Sequence, residues 1–309
     1  MRRHGARDFA MNRTRKIWIG IGAFMLAGGA GSSPIPAASP DDRQARPTNA
    51  EPNDGMSTDL RRQVLAHALT IGQGGEGGEG GEGGEGGEGG EGGINVAAAA
   101  KDPVEYGVAL QVIAAHYHAG LAAYEGNEQE AGAQMFAHGL SEIFVAMEDV
   151  FKSLGVTGLG GKLEAAVAAA AEKKPVAEVK RKADAVFAAL ASAEKKAPES
   201  KRPAAAIRAR IAAEMVDRAA AQYVAVQKDD SLEAYLDGLG FAVAARVQAK
   251  DVLSYLKKVD PKKEAALRQA VTLAEQAYPG IKRPAQPTVS PAEFQAAASA
   301  AKLAVSNLP

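Results

Sequence analysis

The chain has 309 residues, no cysteine, and 36 lysines and arginines against 37 aspartates and glutamates, for a formal net charge of −1. Without cysteine there is no disulfide, no thiolate metal site and no cysteine-linked lipid anchor. Residues 1–38 carry six basic side chains and one acidic one, so their removal takes the charge from −1 to −6, which gives no electrostatic basis for binding nucleic acid.

At the start, Arg13, Arg15 and Lys16 precede the apolar run of residues 17–27, and small residues come after it. That succession is the pattern of a secretory signal. The run is shorter than the roughly 20 residues of a bilayer span. We therefore expect residues 1–38 to be a signal peptide and the mature chain to be an exported, periplasmic protein with no membrane span. Residues 39–100 read as a disordered linker. Pro, Ser, Asn and Asp dominate its first part without periodicity, and a short helix is expected over residues 58–69. Six Gly-Gly-Glu triplets then occupy residues 74–91. This tract has no apolar side chain, and its glycines lose the most backbone entropy on ordering, so it contributes nothing to a core. Its period of three would align the glutamates along one edge of an extended helix as a loose cation collector. The simpler reading is a charged spacer. The Gly-x-Gly-x-x-Gly match at residues 72–77 belongs to the start of this tract, and no strand precedes it, so no dinucleotide site is expected.

From Pro103 onward strong helix formers dominate and no period-two alternation is sustained. Asp102-Pro103 opens a helix over 103–125 with a cap and a first-turn proline. Glu125-Gly126-Asn127 makes a turn into a second helix, 128–154. A glycine-rich break covers 155–161, and Pro175, Pro198 and Pro203 punctuate the middle. Asp229-Asp230-Ser231 and Asp260-Pro261 start two more helices, and a last one begins near Pro291. The expected fold of residues 101–309 is all-α with about eight helices, either one up-and-down helical bundle or two bundles sharing a long helix.

The first hairpin carries the candidate chemistry. Tyr106, Leu110, Ile113, Tyr117, Leu121 and Tyr124 form one apolar stripe of helix 103–125, and a second apolar face lies opposite, so this helix is expected between neighbours on two sides. His116 and His118 fall about 100° to either side of Tyr117 and cannot point at one site. On the second helix His138 and Glu142 are i,i+4 neighbours. His116 is ten residues before Gly126 and His138 twelve after it. At 1.5 Å per residue an antiparallel hairpin sets the two imidazoles within about 3 Å in height. Two histidines and a carboxylate at one level suit a divalent transition metal: iron, zinc, copper or nickel. His116, His138 and Glu142 are the candidate metal ligands, with Asp149 or Asp237 as additions. Met135 and Met147 read as core. The competing reading leaves His138 and Glu142 as a solvated pair and His116 at the edge of the core.

Residues 115–126 (Ala-His-Tyr-His-Ala-Gly-Leu-Ala-Ala-Tyr-Glu-Gly) and 135–144 (Met-Phe-Ala-His-Gly-Leu-Ser-Glu-Ile-Phe) carry a family likeness, joined by Gln222-Tyr223 and the run Tyr235 to Phe241. The chain resembles exported all-helical bacterial proteins of the imelysin-like kind and the periplasmic extension of high-affinity iron permeases. The imelysin Gly-x-His-x-x-Glu signature is absent, since Ser141 stands three residues after His138. The resemblance implies a periplasmic protein that handles metal, iron before zinc or copper, with a metal ion or a metal transport component as partner. No Ser-His-Asp arrangement, paired-carboxylate motif or phosphate loop points to an enzyme. A haem would require an axial pair across a core rather than histidines on seams. The alternative to metal handling is an envelope module that offers a helical face to a partner and binds no metal.

Overall fold

The computed structural model describes residues 93–228 and 230–308. The expected signal peptide, the linker up to residue 92, its short helix and the Gly-Gly-Glu tract lie outside the described residues. Among the described residues all regular structure is helical. In order these are α1 (Val96–Ala99), α2 (Pro103–Glu125), α3 (Gln129–His138), a π-helical turn (Gly139–Phe144), α4 (Val145–Ser153), α5 (Leu159–Ala171), α6 (Val176–Glu194), α7 (Ala204–Ala225), α8 (Leu232–Val259), α9 (Pro261–Ala277) and α10 (Pro291–Ser306). The protein is an all-α helical bundle. Ile94 and Ala99 belong to the core, so packing begins before residue 101.

Polar caps set the helix starts. Asp102, Ser231, Asp260 and Ser290 each accept a backbone N–H from the first turn, and Pro103, Pro261 and Pro291 occupy the position where no N–H is needed. The Asp102 carboxylate accepts from Val104 N at 2.7 Å. Asp102→Ala is expected to lower stability by about 1 kcal/mol, measured by urea denaturation. The glycine-rich break is shorter than the composition suggests. Gly155 and Gly158 take positive φ, whereas Gly160 and Gly161 already lie inside α5. A Cβ on Gly160 would stand 2.8 Å from the Phe144 ring, so that glycine admits an aromatic side chain rather than a turn.

Helix α2 is the central element. Seventeen of its 23 residues are buried. It packs against α3 and α6 and against α7 and α8, while α7, α8, α9 and α10 pack among themselves. Two helix sets thus share α2. Alanine faces bring the rods close, and tyrosine hydroxyls tie them. Tyr106, Tyr117 and Tyr124, all on α2, donate to the carbonyls of Ala193, Leu163 and Lys174, and Tyr278 donates to Ala219 O.

Candidate metal centre

The α2–α3 hairpin closes on glycine. A Cβ on Gly132 would lie 2.7 Å from Gly120 O, and one on Gly120 would lie 2.9 Å from Gly132 O, so the two backbones touch at this level. Such close contact fixes the register between the helices and brings His116 of α2 opposite His138 at the end of α3. The expected continuous second helix is interrupted here. Val145 N–H donates to Leu140 O, an i→i+5 bond that marks one extra residue in the turn. An extra residue rotates the downstream half of the helix by about 100° relative to the upstream half. Glu142 rides on this turn.

The third wall is α8. A Cβ on Gly240 would stand 2.3 Å from Ala115 O, so α8 lies against the α2 backbone next to His116. Two carboxylates from the start of α8 thereby reach the histidines. His116 Nε2 lies 3.6 Å from Asp237 Oδ1 and 3.9 Å from Glu142 Oε2. His138 Nδ1 lies 3.8 Å from Glu142 Oε1 and 3.6 Å from Glu233 Oε1. The imidazole centroids are 6.3 Å apart with their planes near perpendicular. One donor atom from each of His116, His138 and Glu142 can be chosen so that all three lie within 4.8 Å of one another.

Protonation favours ligation at His116. The ring is buried, and its Nδ1 lies 2.8 Å from Val112 O, a pure acceptor, so Nδ1 carries the proton and donates. Burial drives its pKa down to about 4, against the pull of that hydrogen bond, and the ring is neutral at pH 7. The Nε2 lone pair therefore faces two carboxylates. A backbone partner on the other ring nitrogen is the usual support of a metal-bound imidazole. Asp237 Oδ1 is buried and makes no hydrogen bond among the described residues. Burial, with Glu142 and Glu233 nearby, pushes this carboxyl up to about 8. Lone pairs facing lone pairs repel unless a proton or a cation stands between them. The spacing points to a cation. Separations of 3.6–3.9 Å exceed a hydrogen bond. Two nitrogen or oxygen ligands at about 2.1 Å from one ion stand roughly 3–4 Å apart.

The residues expected from the sequence separate here. His116, His138 and Glu142 come together, and Asp237 joins them. Asp149 is exposed on α4 and stands apart from the group that could hold a metal. Glu233 was not expected, and its signal is the i,i+4 spacing to Asp237. His118 turns away and stacks on Phe187 of α6 at 4.4 Å. Met135 and Met147 are core residues. His116, expected on a polar seam, is instead buried, because α8 covers that seam. Comparison with known proteins finds no matching family model, no matching curated protein and no matching solved structure.

Proposed function

We propose that this protein binds a divalent transition metal, iron before zinc or copper, through His116, His138 and Glu142, and that it captures or passes the ion in the periplasm without catalysing a reaction. One observation carries the reading: a buried imidazole whose Nδ1 is engaged by a backbone carbonyl and whose other nitrogen faces carboxylate oxygens at ligand-to-ligand distance. Two imidazoles with carboxylates and no thiolate make a donor set suited to iron or zinc. The exported, periplasmic address rests on the signal pattern of residues 1–38, and the iron preference on the resemblance to imelysin-like and iron-permease-associated proteins. The site lies where three helices meet, between the two helix sets, a usual place for a ligand site in helical proteins.

Metal content of the full chain, purified without a histidine tag and measured by elemental mass spectrometry, tests the proposal. Substoichiometric metal in the wild type, or metal unaffected by His138→Ala, removes its chemical basis. With the proposal correct, His138→Ala weakens binding by more than the roughly 10–100-fold that loss of an outer hydrogen-bond partner costs. Deletion of the Gly-Gly-Glu tract leaves that binding intact. If the deletion abolishes the metal and His138→Ala does not, the tract is the site.

A further inference from the structure

We infer that the centre is built for two metal ions side by side, with Glu142 as the carboxylate they share and Asp237 and Glu233 as ligands that complete the two halves. This rests on the metal-binding reading and specifies the cargo it takes: a pair of ions rather than one.

The donors sort themselves into two sets of identical composition. Glu142 divides its oxygens, Oε2 facing His116 and Oε1 facing His138. Each imidazole meets a second carboxylate of its own from α8: Asp237 for His116 and Glu233 for His138, both at 3.6 Å. Each set is then one imidazole nitrogen, one Glu142 oxygen and one oxygen from α8. Asp237 and Glu233 are one helical turn apart on α8, so one face of that helix serves both sets.

A single ion held by both imidazoles leaves this arrangement without a reason. It would draw on Glu142 and the two rings alone, while Asp237 Oδ1, buried and without a hydrogen bond among the described residues, stands 3.6 Å from His116 Nε2. A carboxyl oxygen is not kept there for packing, since a buried acceptor without a hydrogen bond costs about 1–3 kcal/mol. Helical bundles hold paired ions with this ligand class, carboxylates and histidines projecting inward from facing helices. Three carboxylates to two imidazoles is a mixed nitrogen and oxygen donor set that suits divalent transition metals.

Stoichiometry decides. The chelator-stripped full chain is titrated with Zn²⁺ by calorimetry, and Glu142→Gln, run in parallel, reports any binding by the glutamate tract. Two Glu142-dependent equivalents are expected in the wild type, falling to one in Asp237→Asn and to one in Glu233→Gln. One equivalent in the wild type that persists in both α8 variants overturns the pair and leaves the single-ion reading standing. No Glu142-dependent binding overturns both. Two equivalents untouched by the α8 substitutions overturn the assignment of Asp237 and Glu233. A second measurement covers the case in which Glu142→Gln fails to fold by circular dichroism. In the wild type loaded with Co²⁺, electron paramagnetic resonance should show the mononuclear signal rise to one equivalent and then change as the bridged pair couples. A signal that grows linearly through two equivalents means separate ions and no shared Glu142.

Discussion

Gly240→Ala is expected to destabilise the protein by about 2 kcal/mol and to loosen the proposed metal centre, while Gly161→Ala, the same change elsewhere, stabilises it. Both glycines sit inside helices, where alanine gains about 1 kcal/mol in propensity. At Gly161 the new methyl meets nothing within 4 Å, so most of that gain survives and roughly 0.5–1 kcal/mol is added. At Gly240 the methyl would stand 2.3 Å from Ala115 O and 2.8 Å from Ala115 C, both backbone atoms that cannot turn aside. Overpacking of that kind costs about 3 kcal/mol, which outweighs the propensity gain. The strain is relieved by moving α8 off α2, and that movement carries Asp237 away from His116. Denaturant titration of the two variants gives the comparison. If Gly240→Ala is as stable as wild type, α8 is not held where the structure has it.

Acid should unfold the protein partly through a histidine that is not in the centre. Burial of His118 against Phe187, with Arg246 nearby, lowers its pKa from about 6.5 to about 4. Between these values the unfolded chain binds the proton and the folded one does not, so stability rises with pH across that window. The contribution is complete above about pH 6.5 and is lost as the pH falls toward 4. For a half-buried ring it amounts to roughly 2 kcal/mol. His118→Gln removes the dependence but also removes the ring contact, worth about 0.5–1.5 kcal/mol. The wild type should be the more stable protein at pH 7 and the less stable at pH 4.5, with the two stability curves crossing between. Parallel curves for wild type and variant would show that the proton is not excluded there.

The helices were legible because their ends are written locally. Asp102-Pro103 and Asp260-Pro261 place cap and proline together, and those helices begin where the dipeptides predict. The apolar faces of residues 103–125 likewise announced a helix buried on more than one side. The pairing of His116 with His138 was legible for a similar reason, since a short turn at Gly126 and a fixed rise per residue set the height. What was not legible is non-local. Nothing within residues 231–241 says that the start of α8 lies over the hairpin, so Asp237 stood only as one addition beside Asp149, and Glu233 not at all. The closest sequence signal was Gly238 and Gly240, small residues beside Asp237, where the Tyr278 side chain and the Ala115 backbone approach. The π-helical turn left no trace, because Gly139 to Phe144 contains no residue that an ordinary helix would refuse. His116 was expected on a seam because the sequence cannot show which neighbour closes it.

Because α2 lies between two groups of helices, neither group is a finished body by itself. The exposed link at residues 195–203 offers proteases Lys201, yet a cut there removes no wall from either interior. The two pieces should stay associated after nicking and separate only in denaturant, and the fragment lacking α2 should not hold its shape when made alone. Loss of structure in such an arrangement should be cooperative, which would tie retention of ions at the proposed centre to the integrity of the whole chain rather than of one hairpin.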